Sequence, residues 1–177
     1  MNDLAVEDRP QLADIVTVGD NIEFLETTNA AGLGLINLTG NEIAQNITGN
    51  AGANTLAGAG GNDTLTGGLG ADVFLFNTAL NAATNRDLIT DFNVAADTIR
   101  LDDAVFAFIG APGLALAANL FKNLTTGGPV DADDKILYND VTGAIFYDID
   151  GSGITAATQF ATLTGAPTVT FNDFFVV

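Results

Sequence analysis

Apolar positions in the middle of the chain keep a strict nine-residue rhythm: Leu38, Ile47, Leu56, Leu65 and Phe74. Each sits between two other residues as the centre of an x-apolar-x triplet, which predicts a three-residue strand whose central side chain points inward. Two such units make one eighteen-residue coil with turns on opposite sides. Coils of this kind stack at the ~4.8 Å spacing of paired strands. A fixed short period is the mark of a repeat architecture, so a parallel β-roll is expected over residues 37–100. Outside the array, Ile15–Val18, Ile22–Leu25, Val73–Phe76 and the alternating stretch 87–101 also read as strands. Lys135–Asn139 and Ala144–Asp148 flank Asp140-Val-Thr-Gly143, a hairpin signal, and Thr168–Val177 is strand-like. Two weak helix signals remain, one capped by Asp102-Asp103 and one over Leu114–Phe121. The expected class is therefore all-β, a parallel roll with a mostly antiparallel C-terminal cap over 101–177. Residues 1–36 are expected to supply edge strands or a degenerate entry to the roll; the segment Ala31–Thr39 already keeps the phase at Gly34 and Leu38.

The segments between the apolar centres carry the chemistry. In phase, Gly40, Gly49, Gly58 and Gly67 hold position one, and Gly52, Gly61 and Gly70 hold position four of the last three units. Position six runs Gln45, Asn54, Asp63, Asp72. Glycine at these places admits positive φ or close backbone approach. Loops two units apart lie on the same side of the roll, so loop 49–54 is expected to stack on loop 67–72. Loop 58–63 is expected to stack on whatever follows Phe76. Carbonyls and position-six carboxylates then converge between coils, an all-oxygen setting for a hard cation with six to eight ligands. Calcium suits it better than magnesium, which demands a strict octahedron and keeps its waters.

Charge points the same way. The chain carries a net −17 yet is 47% apolar, so the acidity belongs to something that folds. The five basic residues are scattered, which argues against nucleic-acid or anionic-membrane partners. All fourteen acids after Glu42 are aspartates, and the short side chain suits a tight turn whose own backbone lines the site. Without Cys or His, disulfides, thiolate or imidazole metal sites and Ser-His-Asp or Cys-His catalysis have no residues to work with. No apolar run reaches transmembrane length, and the N-terminus lacks the pattern of a cleavable signal. The chain is not expected to be an enzyme; paired Asp residues working on a glycan would need a cleft that nothing in the sequence specifies.

These loops resemble the RTX, or haemolysin-type, calcium-binding repeat with consensus GGxGxDxUx. Gly58–Thr66 and Gly67–Leu75 match it well, Gly49–Ala57 has Asn54 in place of Asp, and Gly40–Thr48 is degenerate at Ile43 and Gln45. Asp87-x-Ile-x-Asp91-Phe and Asp97-x-Ile-x-Leu101 are similar to the segment that follows the last repeat in serralysin-type proteases and related RTX proteins. The resemblance implies several Ca2+ ions held by positions two, four and six. It points to Asn50, Gly52 and Asn54, to Ala59, Gly61 and Asp63, to Gly68, Gly70 and Asp72, and to Asp87 and Asp91 after the array. It also implies a secreted or cell-surface protein that meets a type I secretion apparatus and folds in extracellular calcium. A catalytic or adhesive domain upstream in the same parent protein is expected with it. The alternative is a calcium-stabilised adhesin or S-layer-like surface-assembly module.

Two further motifs stand outside the array. Asp148-Ile-Asp150-Gly-Ser152-Gly153 resembles the first half of an EF-hand loop, but position twelve is Gln159, which gives no bidentate carboxylate. A calcium-binding turn at Asp148 and Asp150 and a plain acidic turn both fit it. The run Asp173-Phe-Phe-Val-Val177, an acid followed by four apolar residues, looks like the uncleaved signal read by type I systems, and equally like a buried last strand.

Overall fold

The computed structural model describes residues 3–6, 14–17, 21–126 and 128–177; Val18, within one expected strand, lies outside them. The described chain alternates short strands between two facing sheets. The array supplies β4 (Ile36–Thr39), β5 (Asn46–Thr48), β6 (Thr55–Ala57), β7 (Thr64–Thr66) and β8 (Val73–Phe76). β1 (Asp3–Val6), β2 (Asp14–Thr17) and β3 (Phe24–Thr27) precede them, and β9 (Asp87–Ile89) and β10 (Thr98–Leu101) follow. Odd-numbered strands pair in parallel in one sheet and even-numbered strands in the other, so each pair of units closes one coil.

Register converts the nine-residue rhythm into two inner columns. Leu25, Ile47, Leu65 and Ile89 are successive partners in one sheet. Leu38, Leu56, Phe74 and Ile99 are partners in the other. All eight are fully buried. Removing apolar surface on this scale is the main force holding the coils together, at about 2 kcal/mol for each buried side chain. Strand residues flanking each centre face outward, as the period of two requires.

The remaining strands close the far end. β12 (Ile136–Tyr138), β13 (Ala144–Tyr147) and β14 (Thr158–Leu163) form an antiparallel meander, and β11 (Phe121–Asn123) adds to β12 in parallel. The expected hairpin is the β12–β13 link, with Gly143 at φ 75° where its place against the Leu163 carbonyl leaves no room for a Cβ. β14 joins β9 in parallel and β15 (Phe174–Val176) joins β10 in parallel, so both sheet edges of the last coil are covered. Leu163 and Phe174 extend the two inner columns by one step. Phe76, Phe106, Tyr147 and Phe160 fill the space beneath the meander through edge-on ring contacts 5.0–5.2 Å apart. The two tyrosine hydroxyls donate to carbonyls, Tyr138 to Pro167 at 2.6 Å and Tyr147 to Ala107 at 2.7 Å.

Neither helix signal yields an α-helix. Asp102 accepts one helical turn of bonds from Val105 and Phe106, and Ala118–Leu120 makes a single 3-10 turn. Each segment is short of the length at which a helix sustains itself, and strand pairing on either side takes up its neighbours.

Candidate metal centre

The site is built where position six folds back over position one. A Cβ on Gly40, Gly49, Gly58 or Gly67 would sit 2.2–2.6 Å from an oxygen of Gln45, Asn54, Asp63 or Asp72 respectively. None of these four glycines has a positive φ. Position one is glycine because the position-six side chain, joined at Gly40 and Gly49 by the carbonyl of Gly58 or Gly67 one coil on, occupies the place of its Cβ. At position four the reason differs: Gly61 and Gly70 lie at φ 103° and 126°, against the backbone of Ile43 and Gly52 one coil away. Loop 67–72 thus stacks on loop 49–54, with Gly68 against the Asn50 carbonyl and Gly70 against that of Gly52. Loop 58–63 lies between loop 40–45 and the segment after Phe76, joined by bonds from the Gly60 N–H to the Asn41 carbonyl and from the Gly61 N–H to the Thr84 carbonyl.

Position-six carboxylates form a ladder. Asp63 Oδ1 accepts from the Gln45 N–H at 2.7 Å, and Asp72 Oδ1 from the Asn54 N–H at 2.8 Å, each one coil earlier. The same bond recurs beyond the array. Asp87 Oδ1 accepts from Asp63 N–H at 3.0 Å, and Asp97 Oδ1 from Asp72 N–H at 2.9 Å. Asp87 and Asp97 are therefore the position-six residues of the last two turns of the roll. Asp97 is absent from the ligand set read off the sequence. Its signal was present: Asp97-Thr-Ile repeats the Asp-x-apolar step of Asp63-Thr-Leu, Asp72-Val-Phe and Asp87-Leu-Ile.

The second oxygens set two of these carboxylates apart. Asp63 and Asp72 are 1% exposed, and Oδ2 of each is buried without a hydrogen-bond partner. Leaving a buried carboxylate oxygen unmatched costs several kcal/mol unless something positive meets it. Asp63 Oδ2 and Asp87 Oδ2 both border Gly58, 2.3 and 2.9 Å from where a Cβ would stand, so two carboxylates share one cradle. Burial, and then the charge of Asp87, push Asp63 up to about 8. Burial pushes Asp87 up to about 7 and Asp72 up to about 6, with Asp97 and Asp91 adding to the rise at Asp72. Asp97 is raised by burial too. These groups resist ionisation in the chain alone and would ionise readily beside a divalent cation.

Among the described residues no three acidic side chains gather into a metal cluster by themselves. A cation here must draw on backbone carbonyls as well, which is the donor mix a Gly-rich loop provides. Residues 39–74 match the RTX calcium-binding nonapeptide repeat, in four copies. RTX nonapeptide repeats bind Ca2+ and are structural rather than catalytic elements, so the array indicates a calcium-binding RTX-type domain. Such repeats are typical of secreted bacterial proteins. No helix among the described residues is long and apolar enough to cross a membrane. No curated protein matches the chain.

The other expected ligands fall in four places. Asn50, Gly52 and Asn54 line the loop facing 67–72, but both asparagine side chains are already engaged: Asn54 Oδ1 accepts from Asn50 N–H, and Asn50 Oδ1 from Gly52 N–H. Asp91 lies beside the RTX loop and grips it, accepting from Gly67 N–H at 3.0 Å and Gly68 N–H at 2.8 Å. The Ala59 carbonyl accepts from the Thr78 hydroxyl. Asp148 and Asp150 are far along the chain in the cap, in a turn packed against Asp131 and Ala132. There Asp150 Oδ2 accepts from Thr155 N–H while its Oδ1 has no partner. The nearby Lys135 ammonium donates to the Ala132 and Ile149 carbonyls, so this turn has a cation of its own.

Proposed function

We propose that this chain is a calcium-triggered folding domain of a secreted protein, whose roll sets only when calcium meets the carboxylates of loops 58–63 and 67–72. The observation that carries the reading is the pair of buried, partnerless oxygens on Asp63 and Asp72 within a matched RTX array. Asp63 with Asp87 would hold one ion and Asp72 a second, completed by carbonyls from among Gly52, Ala59, Gly61, Gly68 and Gly70. Calcium supplies the positive charge that these oxygens lack.

Concentration decides when this happens. A site with a dissociation constant of ~10 µM gains about 2.7 kcal/mol at ~1 mM calcium. Two such gains are a large share of a typical domain's stability. At cytosolic calcium the gain disappears, while the buried carboxylates remain a burden. The chain would thus stay loose for threading through a type I apparatus and fold outside. The Asp173–Val177 run, folded here as the end of a 3-10 turn and the whole of β15, would be read as a signal only before β15 docks on β10.

Circular dichroism and thermal melting in EDTA against millimolar calcium, with magnesium as control, test the folding step. A melting point and spectrum indifferent to calcium would refute it. Co-expression with a type I apparatus tests export: the chain is expected in the medium, and full retention inside the cell refutes that part alone.

A further inference from the structure

Of the six position-six side chains, Asp87 shares the cradle of Asp63; the other five differ in what meets their outward oxygen, and the difference lies in the backbone at position two. In loop 40–45, Asn41 N–H donates to Gln45 Oε1 at 2.8 Å. In loop 49–54, Asn50 N–H donates to Asn54 Oδ1 at 2.8 Å. In the turn 93–97, Asn93 N–H donates to Asp97 Oδ2 at 2.8 Å. Each of these asparagines also accepts through Oδ1 from the N–H two residues on, in Ile43, Gly52 and Ala95. That side-chain turn holds position two with its own N–H aimed into the loop.

Loops 58–63 and 67–72 lack asparagine there. Ala59 and Gly68 take φ 68° and 101°, the left-handed region, which swings the amide to another direction. These are the two loops whose Asp63 and Asp72 Oδ2 atoms have no partner. Gly68 N–H, with Gly67 N–H, is received by Asp91 instead.

We propose that position two decides which turns of this roll take a cation: the loops opened at Ala59 and Gly68 each bind one, and those closed by the N–H groups of Asn41, Asn50 and Asn93 bind none. The inference rests on the calcium reading above and restricts it. Asn54 and Asp97, though placed like ligands, are occupied by their own loops. Asp97 decides the matter most sharply, since it is a buried carboxylate in the ladder yet has both oxygens hydrogen-bonded.

Calcium stoichiometry by isothermal titration of the whole chain tests this, with folding of each variant checked by circular dichroism in calcium. Asp63→Asn and Asp72→Asn are each expected to lose one ion. Asp97→Asn keeps the wild-type number, and so does Asn54→Asp, which places a carboxylate in a closed loop while retaining the acceptor. Adding Asn50→Gly to Asn54→Asp opens that loop and gains one ion. A gain with Asn54→Asp alone, or a loss with Asp97→Asn, overturns the proposal while leaving the calcium reading in place. If the double variant does not fold, those two single variants still decide. A wild-type chain that binds no calcium overturns the calcium reading and this inference with it.

Discussion

Replacing Asp72 by Asn should make the domain more stable without calcium and less stable with it. In the wild-type chain at pH 8, burial holds Asp72 at about 6 against an ordinary 3.8. That displacement corresponds to about 3 kcal/mol against folding, discounted to about 2 kcal/mol for solvent screening. Asn keeps an oxygen for the Asn54 N–H and removes the charge, but leaves an amide N–H unmatched beside Gly67, at about 1 kcal/mol. The net expectation in EDTA is about 1 kcal/mol in favour of the variant, a rise in melting temperature of roughly 2–4 °C. With calcium at ~1,000 times its dissociation constant the wild-type gains about 4 kcal/mol from this site and the variant gains nothing. The order then reverses by about 3 kcal/mol, or roughly 6–12 °C. Melting followed by circular dichroism at pH 8 in both buffers reads the crossing. A variant that is less stable in both by the same amount would show that Asp72 is a plain structural residue, and the cation argument would fall.

Three other outcomes follow from the same geometry. Because the folded-state values of Asp63, Asp72 and Asp87 lie above the ordinary one, their contribution favours folding below about pH 4 and is lost as pH rises through about 6 to 8. Melting in EDTA should therefore rise as pH is lowered from 8 to 5, whereas calcium affinity should fall; a flat EDTA profile would refute the assigned burial. Gly58→Ala places a methyl 2.3 Å from Asp63 Oδ2 and 2.9 Å from Asp87 Oδ2, so a loss of about 1–3 kcal/mol and of the calcium bound there is expected, and unaltered titration would contradict the shared cradle. Leu56→Ala, at the centre of one inner column, should cost about 2–5 kcal/mol by the same measure with or without calcium, since it empties the core and touches no ligand. A loss seen only in EDTA would mean that the columns do not carry the fold.

Much of the roll was readable because its signals are local. The nine-residue phase needed only Leu38, Ile47, Leu56, Leu65 and Phe74, and the structure buries all five in two registered columns. The hairpin at Asp140–Gly143 was equally local. The helix signals at 102–103 and 114–121 failed because weak propensity over so few residues gives way to the pairing of the strands around them. The position-six place of Asp97 does not follow from the spacing, because the turns before β9 and β10 are longer than the repeat, which breaks the count of nine while preserving the ladder.

The sequence alone thus determined the period, the all-β class, the oxygen-rich loops and calcium as the cation they suit, all of which depend on residue type and spacing. Only the tertiary structure decided which oxygens are free. Asn54, Asp72 and Asp97 are alike in the ladder as position-six residues with an oxygen to offer. They part company through the direction of one backbone N–H and through Asp91 reaching back over twenty residues to take two others. A hydrogen bond to a neighbouring coil depends on stacking and φ together, and neither is written in the spacing of glycines and aspartates.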